Sequence, residues 1–224
     1  MKKLLMFSLL LAWAVPASAT VYTDATGDEF FGGPGHIDIA SVEVTNTATD
    51  ITFAITLNGD ILATDWGKYM VIIDSVAGGD TVGNGWGRPI SMTSGADYWI
   101  GSWVDSGNGA ELYDYTGAWN LQEATYNAPP NNDISISTST NTATITTTMA
   151  NLGLTPGDSF EFDVFTSGGG GTDGAVDSLG NPNQQVGDWG DQSNAFPQTY
   201  VTVPEPATMC LLAIGGVLAL RRRS

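Results

Sequence analysis

The chain has 224 residues, with 24 acids against seven bases and a formal net charge of −17. That balance repels nucleic acid and anionic lipid, so a DNA- or RNA-binding role is excluded. A single histidine, His36, and a single cysteine, Cys210, leave no material for a histidine-rich metal centre, a Ser-His-Asp or Cys-His catalytic arrangement, or a disulfide framework.

At the N-terminus Lys2 and Lys3 precede an apolar run from Leu4 to Val15, and Ala17-Ser18-Ala19 supplies the small residues that a signal peptidase requires. Residues 1–19 therefore read as a secretory signal peptide cleaved after Ala19. The exported body, residues 20–203, is expected to form one domain. Five of the seven bases lie in the two ends and only one of the 24 acids does. The body thus carries 23 acids against Lys68 and Arg88, a net of −21.

Period-two alternation dominates the body and helical periodicity is almost absent. In chain order the expected strands are 37–44, 51–57, 69–74, 97–104, 110–115, 118–122, 134–138, 142–148, 160–164 and 199–203. Ile51, Phe53, Ile55 and Leu57 alternate with polar or small residues as in a half-buried strand. Tyr69 to Asp74 is more continuously apolar and suits a central one. Asn58-Gly59-Asp60, Gly78-Gly79-Asp80, Ser106-Gly107-Asn108-Gly109 and Pro156-Gly157-Asp158 supply turn chemistry. About ten short strands without substantial helix predict an all-β, antiparallel β-sandwich, jelly-roll or immunoglobulin-like, with Gly168 to Gly171 as a loop inside it.

Six tryptophans lie in the body. Trp99 and Trp103 are four apart on an expected strand and so share a face across Gly101, while Trp66 and Trp86 lie beside glycines in loops. Trp66, Trp86, Trp99 and Trp103, with Arg88, are the candidate saccharide-binding residues, because an indole face stacks on the apolar C–H face of a sugar. Packing in the core is the competing role for each ring. Asp65 and Asn84 are further hydrogen-bonding candidates. No catalytic residue is assigned and the protein is not expected to be an enzyme. A glycosidase needs only two carboxylates, but nothing singles out a pair among so many.

Tyr22-Thr23-Asp24-Ala25-Thr26-Gly27-Asp28-Glu29, then Gly35-His36-Ile37-Asp38-Ile39, then the strand ending Ile51 to Leu57, resembles the opening of family-9-type carbohydrate-binding modules and glucodextranase C-terminal-like domains. Met149 to Asp158 resembles the loop before a late strand of the same group, whereas Gly168 to Asp188 has no counterpart. The resemblance implies a β-sandwich with structural calcium near the opening motif. Clustered carboxylates suit an ion that takes six to eight oxygens, and Asp24, Asp28 and Asp38 are the expected ligands, with Glu29 as a substitute. The same aspartates beside Gly27 would also suit Asx-type turns. A second acidic stretch, Asp173 to Asp191, matches no calcium-loop spacing.

At the C-terminus, residues 204–224, Pro204-Glu205-Pro206 is followed by an apolar run from Ala207 to Leu220 and then Arg221, Arg222 and Arg223. This tripartite pattern resembles the PEP-CTERM sorting signal of Gram-negative bacteria. The resemblance implies that an exosortase of the inner membrane recognises the motif and releases the body toward the cell surface or extracellular matrix. The apolar run is expected to form a transmembrane helix that tethers the protein transiently, with the arginines cytoplasmic. Fourteen helical residues span roughly 21 Å, short of the ~30 Å hydrocarbon core, which suits brief retention better than a plain permanent anchor. The expected protein is an exported, non-catalytic saccharide binder of the cell surface or polysaccharide matrix. A structural or adhesive matrix protein without a sugar site is the alternative.

Overall fold

The computed structural model describes residues 19–126, 133–181 and 188–204. The signal peptide and, beyond Pro204, the sorting tail with its expected transmembrane helix lie outside the described residues. No helix among the described residues is long and apolar enough to cross a membrane.

Fourteen strands are formed among the described residues: β1 (Thr20–Thr23), β2 (Ile39–Asn46), β3 (Asp50–Leu57), β4 (Lys68–Asp74), β5 (Ile90–Ser91), β6 (Tyr98–Trp103), β7 (Gly109–Tyr115), β8 (Trp119–Ala124), β9 (Ser135–Thr138), β10 (Thr142–Thr148), β11 (Ser159–Ser167), β12 (Asp177–Ser178), β13 (Ser193–Asn194) and β14 (Gln198–Val201). The ten expected strands are all present. The four additional ones are β1, which sits in the acidic opening motif, and the two-residue pieces β5, β12 and β13, too short to show a period.

Two antiparallel sheets make the sandwich. One runs β1-β2-β3-β10-β9. The other runs β12-β11-β4-β6-β7-β8, with β14 sharing the outer edge of β11 with β12. In the first sheet β3 alternates strictly, burying Ile51, Phe53, Ile55 and Leu57, and Phe53 stands opposite Val44 on one side and Ile145 on the other. These side chains meet Val71, Ile73, Ile100, Leu112, Phe160, Phe162 and Val164 from the second sheet.

The second sheet is covered on its other face as well. A layer of loops, pinned by the parallel pair β5 and β13, lays Ile90, Met92, Ala96, Ala175 and Ala195 over Met70, Ile72, Trp99 and Phe165. Double coverage explains the unbroken apolar run of β4, since neither of its faces meets water.

The last strand is fastened to its end. The Asn46 side chain accepts from the Val203 amide at 2.9 Å and donates to the Val203 carbonyl at 3.0 Å, and Thr202 hydrogen-bonds Gly157 and Asp158. Pro204, the next residue, is exposed.

Phe53 lies at the centre of the inter-sheet layer, with ring contacts to Phe160 and Phe162. Phe53→Ala should therefore cost about 3–5 kcal/mol, read as a lower midpoint in a denaturant titration with an unchanged slope.

Candidate functional site

Where β1 leaves the sheet, the Asp24 amide donates to the Ala40 carbonyl at 3.1 Å, and the chain loops out to return through Asp38 at the start of β2. This loop carries Asp24, Asp28 and Asp38. Asp38 accepts from the Gly27 amide and from Asn58 Nδ2, both at 2.9 Å and both at Oδ2. The second sheet reaches the same point through Asp177, whose Oδ2 accepts from the Ile39 amide at 2.6 Å. One carboxylate oxygen each from Asp28, Asp38 and Asp177 lies within 4.8 Å of the others. That is the separation of two oxygens on opposite sides of an ion with bonds of about 2.4 Å.

Several of these oxygens have no partner. Asp38 Oδ1, Asp24 Oδ2 and both oxygens of Asp28 are buried without a hydrogen bond, and Asp38 and Asp177 are each only 1% exposed. Burial, opposed by the Ala25 amide and reinforced by Asp28, Asp163 and Asp38, pushes the Asp24 carboxyl up to about 7. Burial also raises Asp28, with Asp38 and Glu29 adding to the effect. Asp177 is pushed up to about 8 by burial and by the charges of Asp24 and Asp28. Neither cation of the body answers this charge, because Lys68 pairs with Asp105 and Arg88 donates to Ser167, Asp173 and Gly168. Three converging carboxylates, with the Asp24 charge beside them and no protein cation, fit an oxygen-ligated divalent ion, calcium in particular.

Sequence reasoning placed Asp24, Asp28 and Asp38 in one loop; the structure brings Asp28 and Asp38 to one point, while Asp24 stays outside that set and acts on it through its charge. It missed Asp177, which comes from the acidic stretch set aside for its spacing and joins through a contact 138 residues away along the chain. Glu29 lies outside the set of converging oxygens. Its two oxygens accept from the Gly32 and Gly33 amides and hold its own turn.

On the outer face of the second sheet, aromatic rings form a row. The Trp86 ring covers Gly101, where a Cβ would stand 2.1 Å from it, and the Trp103 ring covers Gly109, where a Cβ would stand 2.0 Å away. Ring centroids are 6.4 Å apart between Trp86 and Trp103 and 6.1 Å between Trp103 and the exposed Tyr126. Glycine at both positions is what lets large rings lie close on the sheet. Asn84 builds the loop that presents Trp86, accepting from the Trp86 and Arg88 amides and donating to the Arg88 and Ile90 carbonyls. It is therefore structural and not a ligand group.

Beside these rings lies an open groove of about 280 Å³, lined by Lys68, Trp86, Arg88, Trp103, Asp105, Glu111 and Gly171. Its size is at the small end of the ~300–1,000 Å³ usual for ligand sites. Glu111, which nothing in the sequence singled out, accepts from Trp86 Nε1 at 2.6 Å and from the hydroxyls of Tyr113 and Tyr126. A larger recess of about 450 Å³ beside Asp74 and Glu161 has neither a tryptophan nor a cation in its lining.

Trp86, Trp103 and Arg88 thus meet at one groove, and two other candidates do not. Trp99 does share a face with Trp103, but that part of the face lies under the loop layer. Trp99 is fully buried, packs on Trp86 at 6.1 Å and cannot stack a ligand. Trp66 joins a separate aromatic group, edge-on to His36 at 4.6 Å and to Phe31 and Trp189. His36 is itself fully buried and kept neutral by that burial.

One family model matches the chain. Residues 202–223 match the PEP-CTERM protein-sorting motif, which marks an exosortase-sorted protein exported across the inner membrane to the cell surface or beyond. No curated protein matches the chain.

The raised carboxyls fix a sign for pH dependence. Between about pH 4 and pH 8 the unfolded chain has released protons that folded Asp24, Asp163 and Asp177 still hold, so metal-free stability falls as pH rises, and the raised Asp28 acts in the same direction. His36, lowered from 6.5, works the other way below that value. Thermal melts in chelator should therefore show a falling Tm most clearly between about pH 6.5 and pH 8, and a flat or rising curve there would contradict the electrostatics of the cluster.

Proposed function

We propose that the exported body is a non-catalytic β-sandwich that holds calcium in the Asp24, Asp28, Asp38 and Asp177 cluster and binds saccharide across Trp86 and Trp103. The observation that carries the saccharide reading is the pair of half-buried indoles laid over Gly101 and Gly109, bordered by charged and hydrogen-bonding side chains. A sugar ring offers an apolar C–H face to the indoles and a rim of hydroxyls to the polar groups beside them. Orientation then comes from a few polar contacts and affinity from covered aromatic area. Groove, glycines and rings belong to the second sheet and its loops, so the platform is preformed.

Calcium supports the structure in this reading and takes no part in sugar contact. Its carboxylates tie the opening loop to the start of β2 and to β12, and the bound ion would supply the positive charge that the protein lacks there. A ligand at a hundredfold excess over Kd stabilises by about 2.7 kcal/mol, or roughly 5–10 °C for a domain of this size. Calcium should raise Tm by that order at pH 8 and much less at pH 5, where Asp24 and Asp177 hold protons. Asp38→Asn and Asp177→Asn should abolish the calcium shift, and Asp177→Asn should leave metal-free protein no less stable at pH 8. Identical melts with calcium and with chelator would remove the proposal.

For the groove, protein purified from exporting cells is applied to a glycan array. Trp103→Ala should lower binding at least tenfold with the melt little changed, since its ring is half-exposed. Trp66→Ala should leave binding intact. Binding to no sugar would favour a structural matrix role, and release of reducing sugar would make the protein a hydrolase.

A further inference from the structure

The body has only two basic side chains, Lys68 and Arg88, among 23 acids, and both line the same groove. Their circumstances differ. Lys68 Nζ lies 2.5 Å from Asp105 Oδ1, which neutralises it. Arg88 is 5% exposed and makes no ion pair among the described residues. Its Nη1 donates to Ser167 Oγ at 2.7 Å and to the Asp173 carbonyl at 2.6 Å, its Nη2 makes a long 3.4 Å bond to the Gly168 carbonyl, and its Nε is buried with no partner. The guanidinium carbon stands 5.3 Å from the centre of the Trp86 ring.

Each feature points to an anionic group on the ligand. A buried cation held only by neutral acceptors, with an N–H still unspent, is incompletely compensated, and a planar fork of donors matches carboxylate or sulfate geometry. Among the described residues no nearby carboxylate pairs with it, and Asp173 favours its charge only without direct contact between the two charged groups. Asp105 is engaged with Lys68, and Glu111 has its oxygens taken by Trp86, Tyr113 and Tyr126. Asp173 meets Arg88 through its backbone carbonyl, while its carboxylate accepts from the Gly170 amide. The body as a whole repels anions, so any anion held here is held by local pairing and not by general attraction.

Resting on the saccharide reading above, we propose that the groove selects acidic sugars: a carboxylate or sulfate on a ring stacked over Trp86 and Trp103 pairs with Arg88, with Lys68 as the outlying cation. Selectivity is then a difference between ligands, because an acidic sugar supplies the counter-charge that Arg88 lacks and a neutral one does not.

The test uses calcium-loaded protein from exporting cells and matched short oligosaccharides, too small to sequester calcium strongly. One pair is digalacturonate and trigalacturonate against their carboxyl-reduced forms; the other is a sulfated galactan fragment against its desulfated form. The expected result is at least tenfold tighter binding of one acidic member. Preference for the uronate alone or for the sulfate alone identifies which anion the groove takes. Lys68→Gln and Arg88→Lys should shrink the acidic-to-neutral ratio severalfold, whereas a purely structural role would weaken both members equally and leave the ratio unchanged. Lys68→Gln keeps the test open if the Arg88 variant does not fold. Equal affinity for both members of both pairs would overturn the acidic preference and leave the saccharide reading standing. No binding to any sugar would sink both, and acidic binding unaffected by Trp103→Ala would place the charge recognition elsewhere and overturn the proposal.

Discussion

The hydrogen bond from the Ile39 amide to the Asp177 carboxylate joins the two sheets, at the edge that carries the acidic loop, by something other than apolar contact. It belongs to a short series. The Tyr69 hydroxyl donates to the His36 carbonyl, the Thr166 hydroxyl donates to the Ile37 carbonyl, and Asp177 takes the Ile39 amide, so the second sheet grips consecutive stretches of the chain entering β2. Apolar packing alone would let the sheets slide, since it has no direction. These directional bonds fix how the acidic loop sits over the edge of the sandwich, and they do so by burying a carboxylate among other carboxylates.

The connection between β11 and β12 ties this edge to the groove. Its beginning offers the Gly168 and Asp173 carbonyls to Arg88, the Ser167 hydroxyl donates to the Gly174 carbonyl, and its end delivers Asp177 to the cluster. A single segment thus supports the guanidinium under Trp86 and one wall of the acidic cluster. Its glycines have a concrete reason: a Cβ at Gly168 would meet Trp189 and Asp173, and one at Gly174 would meet the Asp191 carbonyl. The loop that had no counterpart in any resemblance is the one that connects the two candidate sites.

Much of the sandwich could be read from the residues because period two is enforced by burial on one side. β3 and β10 alternate along their whole length. The run from Tyr69 to Ile73 also declared itself, since a strand apolar on both faces has to lie inside. What could not be read was which layer covers the second face. That is why Trp99, correctly placed on the face of Trp103, turned out to be core: the strand pattern gives the face, and only the loops decide whether it is open. Asp24, Asp28 and Asp38 were legible because they are close along the chain. Asp177 was not, because a contact between distant segments leaves no local spacing, and Glu111 looked like any other acid until three aromatic donors surrounded it.

The fastening of Val203 by Asn46 has a consequence for the protein's life history. Among the described residues, the hydrogen bonds that fasten the end of the sandwich reach as far as Val203, one residue before the Pro-Glu-Pro sequence. Address and architecture overlap by two residues, since the matched sorting motif begins at Thr202 while Thr202 and Val203 are bonded to the sandwich. A cut on the far side of Val203 would therefore act like a tear along a perforation, parting the chain beyond the bonds that close the fold.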